Sequence, residues 1–221
     1  MLLNVESLMI DRGERRIIRD LSFQVRSSEA LLLRGRNGAG KTTLIRAIAG
    51  FLAPTSGKLT LEGGHEEMTL AEQCHYIGHL NGVKANMTVS ENLGFWGRYL
   101  EPDADRAAQQ DRLETALETF DLLALEDIPA GYLSAGQKRR VGLARLKLAD
   151  RPLWLLDEPT VSLDTASVAI LAEAVKSHVA SGGLAIAATH IPLGLETART
   201  LELVPNLNLD STGAEADAEA W

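Results

Sequence analysis

The stretch Gly35-Arg36-Asn37-Gly38-Ala39-Gly40-Lys41-Thr42 places a primary amine and a hydroxyl directly behind a glycine-rich turn. An apolar run, Ala30-Leu31-Leu32-Leu33, leads into it, and a helical pattern from Lys41 to Gly50 leads out. A strand, a turn and a helix in that order suit the capture of a phosphate chain. Glycines let backbone N–H groups wrap the anion, and the helix start adds partial positive charge. Lys41 is placed to reach the β- and γ-phosphates, the Thr42 hydroxyl to ligate Mg²⁺, and Thr43 to touch the α-phosphate. Residues Gly35, Arg36, Asn37, Gly38, Ala39 and Gly40 complete the candidate cradle. A glycine-rich turn before an ordinary helix is the plainer explanation, but the full motif in its strand-to-helix setting weighs against it. By itself the loop says only that a nucleotide binds.

A second set of reactive groups ends another apolar run. Trp154-Leu155-Leu156 leads into Asp157-Glu158-Pro159, so two carboxylates stand at the C-terminal edge of a sheet. Asp157 fits a Mg²⁺ ligand, either direct or one water removed. Glu158 fits the group that orients and polarises an attacking water. His190 ends a third apolar run, Leu184 to Thr189, where a histidine is ordinarily structural. Asp164 is a good N-cap for a helix over Thr165–Ala180.

Between loop and carboxylates lies Leu133-Ser134-Ala135-Gly136-Gln137. It precedes a basic, apolar-striped segment, Gln137–Leu148, with Val141, Ala144, Arg145 and Leu148 at helical spacing. A hydroxyl and free N–H groups at that helix start can bind a γ-phosphate. Ser134 also serves as a plain N-cap.

The three motifs in this order resemble those of ATP-binding cassette (ABC) ATPases. The resemblance implies an α/β P-loop fold with an antiparallel β subdomain and an inserted helical subdomain at about residues 84–148. It implies ATP and Mg²⁺ as cofactors. It also implies a homodimer in the ATP-bound state, because the signature residues Ser134, Gly136 and Gln137 of one copy close over ATP on the phosphate loop of another. Glu158 and His190 become catalytic, His190 as the switch histidine beside the γ-phosphate. Ser162-Leu163-Asp164 matches the loop that joins the two nucleotide sites, a role compatible with N-capping by Asp164.

Two positions depart from the general pattern. Where cassettes place an aromatic residue to stack on adenine, this chain has Arg12, whose guanidinium can stack on a purine or lie solvated in a turn. The glutamine that lines the Mg²⁺ site would fall within Ile77-Gly78-His79-Leu80-Asn81-Gly82-Val83-Lys84, which has none. His79 stands at the best-aligned position.

These departures, with Glu91-Asn92-Leu93, Asp127-Ile128-Pro129, Lys138-Arg139-Arg140-Val141 and the tryptophan-bearing strand Leu153–Pro159, resemble the ATPase subunit of the bacterial haem exporter of cytochrome c maturation. Coverage runs from Met1 to about Pro205. That resemblance implies integral membrane partners, a peripheral position on the cytoplasmic side of the inner membrane, and release of a haem-loaded chaperone. No Cys-x-x-Cys-His haem-attachment motif is present. An ABC ATPase for another transported substrate and a soluble assembly-factor ATPase are the alternatives. A chromosome-type cassette should carry long heptad arms, which are absent. Phe95, Trp96 and Tyr99 follow Glu91-Asn92-Leu93 on a helical pattern. They fit either a dock for a membrane subunit or the cement of a helical subdomain.

Composition bounds these readings. The 221 residues suffice for one compact core, and the formal net charge of −8 argues against general nucleic-acid binding. Cys74 has no partner for an internal disulfide. No apolar run approaches the ~20 residues that span a bilayer, and the N-terminus lacks the features of a secretion signal. Leu2–Ile10 and Ile17–Val25 read as an antiparallel pair joined at Asp11-Arg12-Gly13-Glu14. Gly57–Leu61 and His75–Ile77 read as further strands, and Thr88 to about Arg145 as mainly helical. Leu113, Ala116, Leu117 and Phe120 share one amphipathic face there. One cassette domain over residues 1–205 and an acidic, mobile tail over residues 206–221 are expected. His65, His75 and His178 are assigned to surface or packing.

Overall fold

A computed structural model describes residues 1–189 and 198–204. In chain order the strands and α-helices are β1 (Leu2–Arg12), β2 (Arg15–Arg26), β3 (Ala30–Arg34), α1 (Lys41–Ile48), β4 (Ser56–Glu62), β5 (Cys74–Ile77), α2 (Val89–Leu100), α3 (Arg106–Thr119), α4 (Ala135–Ala144), β6 (Leu153–Asp157), α5 (Thr165–Ala180), β7 (Leu184–Ala188) and β8 (Arg199–Glu202). Two sheets form. One is antiparallel, ordered β2-β1-β4; the other is ordered β5-β6-β7-β3-β8, with every pairing parallel.

The antiparallel sheet grows from a hairpin closed on Gly13-Glu14. Along β1 the buried residues are Leu3 and Val5, then Leu8 and Ile10. The switch from odd to even positions is a β-bulge: pairing shifts between Val5 and Leu8, Ser7 adopts a φ of 43°, and its N–H donates to Ser22 Oγ at 2.8 Å. An extra residue there turns both apolar pairs onto one face.

All five residues of β6 and of β7 are buried, as expected for parallel strands covered on both faces. One apolar core fills the space between the sheets and α1, with Val5, Leu33, Leu44, Ile45, Ile48 and Ile186. A second lies where the helices from α2 to α4 pack against the other face, with Leu93, Leu117, Phe120, Val141 and Leu156. Ala116, Leu117 and Phe120 are fully buried and Leu113 packs against them, so the expected face of α3 is realised. Thr88 and Glu91 form a capping box at the start of α2, and Asp105 and Asp164 N-cap α3 and α5.

The segment expected as one helix over Gln137–Leu148 is divided. The α-helix stops at Ala144, and a 3₁₀ turn follows over Arg145–Lys147. Arg145 bends its side chain back so that Nε donates to Gly142 O at 3.0 Å, occupying a carbonyl that a continuing helix would need. The tail, residues 206–221, lies outside the described residues.

Candidate functional site

The strand β3 delivers residues 35–40 to the C-terminal edge of the parallel sheet, and α1 starts immediately behind them. Gly40 is the N-cap of α1 with a φ of 100°, and a Cβ there would sit 3.0 Å from Ile17 Cγ2. Glycine is therefore favoured by the backbone conformation, and a side chain would press on Ile17, through which β2 closes on the loop. No side chain caps α1, and no acidic residue stands in its first turn, leaving the positive helix end available to an anion. Lys41 is 8 % exposed, and its Nζ donates to the carbonyls of Gly35 at 2.7 Å and Arg36 at 3.3 Å. Its ammonium thus lies over the loop. Arg36, Asn37 and Gly38 are exposed, whereas Ala39 and Thr43 are buried. Thr42 Oγ1 donates to Asp157 Oδ1 at 3.0 Å, joining loop and carboxylates across 115 residues of sequence.

Strand register creates that junction. Ala188 pairs with both Leu33 and Asp157, so β3, β7 and β6 end level. Asp157 is buried. Glu158 turns sharply off the sheet with a φ of 47°, a left-handed conformation that costs a non-glycine residue about 1–3 kcal/mol. Both of its peptide groups are held: its N–H donates to Ala188 O at 2.8 Å, and its carbonyl accepts from Arg139 Nη2 at 2.8 Å. The β5–β6 register, ending at Ile77 opposite Leu156, leads Gly78 and exposed His79 off the same edge. Thr160 and Thr189 hydroxyls meet at 3.2 Å, tying the segment after Glu158 to the end of β7. His190 lies outside the described residues.

Ser134 is the N-cap of α4 in a reciprocal capping box. Its Oγ accepts from Gln137 N at 3.2 Å, and Gln137 Oε1 accepts from Ser134 N at 2.8 Å. Among the described residues, none of these hydrogen bonds reaches residues 35–43. The start of α4 instead abuts the segment after Glu158: a Cβ on Gly136 would lie 2.9 Å from Ser162 O. One turn on, Arg139 is 2 % exposed and donates to Glu158 and Pro159 carbonyls, to Gly78 O and to Asn81 Oδ1. Burial holds its guanidinium below the ordinary arginine pKa, although Asp157 and Tyr76 draw it back up. Composition and motif left Arg139 without a role. The signal was its spacing, since i and i+3 put it on the face of α4 that carries Gly136.

Arg12 is exposed at the hairpin tip, opposite Arg15, while Arg16 pairs with Asp11 at 2.8 Å. His65 is exposed. His75 and His178 pack around Trp154, His178 stacking on the indole at 4.0 Å. Desolvation pushes both imidazoles down to about 4.

A groove of about 930 Å³ runs beside α2, lined by residues including Phe51, Leu80, Trp96, Tyr99 and Arg145. Trp96 is half-buried and anchored from within: Nε1 donates to Gly82 O at 2.9 Å, and Arg145 covers the ring at 4.4 Å. Phe51, Leu80 and Tyr99 remain 62 %, 78 % and 69 % exposed, a concentration of apolar surface uncommon in a chain that works alone.

The ABC transporter family model matches residues 18–161. The chain is 48 % identical over 204 residues to the cytochrome c biogenesis ATP-binding export protein CcmA of Rhodobacter capsulatus, covering 92 % of this chain and 88 % of that protein. It is 45 % identical to the protein of the same name from Agrobacterium fabrum, covering 92 % and 95 % of the two chains. Among solved structures, an ATP-binding subunit of an ABC transporter superposes with a TM-score of 0.79 at 26 % identity, covering 94 % of this chain and 89 % of that one. The chain belongs to the ABC transporter family, among the cytochrome c biogenesis ATP-binding export proteins.

Proposed function

We propose that the chain is the ATP-hydrolysing subunit of a cytochrome c biogenesis exporter, with haem as the cargo and a haem-loaded chaperone as the released product. The observation that carries the ATPase reading is the Thr42–Asp157 contact at 3.0 Å, beside a loop whose carbonyls hold the Lys41 ammonium. In this reading residues Gly35 to Thr43 bind the phosphates, and Arg12 stacks on adenine. Glu158 orients and polarises the attacking water, and His190 stands by the γ-phosphate.

The donors fit Mg²⁺. A hydroxyl and a carboxylate side by side suit a small hard cation that keeps several waters and shares substrate phosphates. Among the described residues no group of three or more His, Cys, Asp or Glu could hold a metal; in this reading phosphate and water complete the shell. Thr42 and Asp157 would hold the ion, with His79 at the edge of its site. When bound, Mg²⁺ neutralises charge on the phosphoryl oxygens.

Ser134, Gly136 and Gln137 are exposed or half-buried, and we assign them to ATP on a second copy. Two protomers close around two ATP molecules, and hydrolysis reopens them, turning binding energy into motion. Residues 1–205 form the cassette, residues 84–148 its helical subdomain, and residues 206–221 an acidic tail. No described helix is long and apolar enough to cross a membrane. The groove beside α2 receives integral membrane subunits, which puts the chain peripherally on the cytoplasmic face of the inner membrane.

The test is complementation of a bacterium that lacks its own relative of this chain. Restored maturation of c-type cytochromes, lost again with Glu158→Gln, supports the proposal. A chain that hydrolyses ATP but restores no maturation removes the exporter role and leaves the ATPase intact.

A further inference from the structure

We propose that Arg139 is a positioning residue for hydrolysis: it holds the backbone of Glu158 in register with the segment after β5 and links both to α4. This rests on the reading of Glu158 as the water-orienting carboxylate. Arg139 is 2 % exposed, and its fork of donors is divided between two separate segments. Nε donates to Pro159 O at 3.0 Å and Nη2 to Glu158 O at 2.8 Å, while Nη1 donates to Gly78 O at 2.7 Å and Asn81 Oδ1 at 3.1 Å. All four acceptors are neutral oxygens, and among the described residues Arg139 forms no ion pair. A guanidinium buried with only neutral hydrogen-bond acceptors, and offset only at longer range by the charge of Asp157, is a costly way to fill space, since an apolar side chain would pack without desolvating a charge. What it supplies is a fixed relation among the segment after β5, the segment after β6 and α4. Lysine, a single point charge, cannot reproduce a planar fork with four partners.

The geometry at Glu158 shows what the link controls. The direction of its carboxylate depends on a φ of 47°, and the peptide on each side is pinned, one by Ala188 and one by Arg139. A rotation of the Arg139-bound peptide swings the carboxylate. On the same face of α4, Gly136 leaves room for Ser162 O, whose residue also has a positive φ of 67°. The helix that carries the signature residues therefore grips the catalytic segment at two points. Displacement of α4 when a second copy engages Ser134 is transmitted to Glu158 and, through Gly78 and Asn81, to the segment leading into the helical subdomain. The coupling needs no contact between Arg139 and nucleotide.

The experiment compares wild type, Arg139→Lys, Asn81→Ala, their combination, and Glu158→Gln. Each is measured for ATP dissociation constant, kcat at saturating ATP, and melting temperature. A positioning role predicts that Arg139→Lys keeps its ATP affinity within about threefold and loses at least about tenfold in kcat. Asn81→Ala should lose less, and the combination no more than Arg139→Lys alone, because both act through one link. Unchanged kcat in Arg139→Lys overturns the inference. So does a parallel fall of kcat, affinity and melting temperature, the mark of a merely structural residue. If Arg139→Lys does not fold, Asn81→Ala decides: lower kcat at unchanged affinity supports the link, and unchanged kcat overturns it. Wild-type turnover in Glu158→Gln is a different failure, which removes the reading of Glu158 itself.

Discussion

Replacing Lys41 by alanine separates nucleotide capture from folding. The Lys41 ammonium donates to the carbonyls of Gly35 at 2.7 Å and Arg36 at 3.3 Å, and it gives up those bonds when it turns to phosphate. A charge-assisted hydrogen bond contributes about 1.5–3 kcal/mol, so one such bond net of that exchange weakens ATP binding by about 10- to 150-fold. The fold should tolerate the change. Gly35 is half-buried and Arg36 exposed, so water can replace the ammonium at both carbonyls, and alanine favours the first turn of α1. The expected stability change is therefore within about 1 kcal/mol. Equilibrium titration with a fluorescent ATP analogue, alongside urea unfolding, measures both quantities. Unchanged affinity would take Lys41 out of the site, and a chain that no longer unfolds cooperatively would make it a folding residue.

Gly136→Ala places a methyl 2.9 Å from Ser162 O, so the start of α4 must shift. ATP affinity should hold while turnover falls at least about tenfold, and equal turnover would show that the approach is not needed. His75 is buried, with desolvation holding its pKa at about 4. The unfolded chain binds a proton more readily, so stability present above about pH 6.5 is lost as pH falls towards 4. Urea unfolding at pH 7.5 and pH 5 should show a loss of about 2 kcal/mol from this residue, absent in His75→Phe; identical pH dependence in both proteins refutes the assignment. Tyr99→Ala should leave ATPase of the isolated subunit within about twofold and abolish recovery with membrane subunits after gentle detergent extraction. Full recovery would move the dock away from the groove beside α2.

The reach of the sequence follows the reach of each interaction. The phosphate loop and Asp157-Glu158 are legible because their chemistry needs particular residue types at fixed short spacing behind a strand. Thr42 meets Asp157 because parallel strands end level, which the order of apolar runs foreshadows. Arg139 was hidden because three of its four acceptors are backbone oxygens at Gly78, Glu158 and Pro159, which carry no residue identity and lie 61, 19 and 20 positions away. The end of α4 was misplaced for a related reason: Arg145 takes the Gly142 carbonyl, and helical periodicity does not register a side chain turned back on its own helix. The bulge at Ser7 was equally hidden, since an alternating pattern tells which residues are apolar before it tells where the phase slips. Trp96 stood between docking and packing in the sequence, and its indole both bonds Gly82 O beneath Arg145 and lines the groove beside α2.

The central claim is that ATP joins two copies of this chain, each closing its signature residues over nucleotide on the other. Light scattering of purified Glu158→Gln with and without Mg-ATP tests it most directly, because the amide keeps the shape of the site but cannot act as a base. The account predicts a monomer without nucleotide, a doubling of mass with Mg-ATP, and reversal when Ser134→Tyr is added to block the signature surface. A chain that binds ATP tightly yet stays monomeric at every concentration would contradict it.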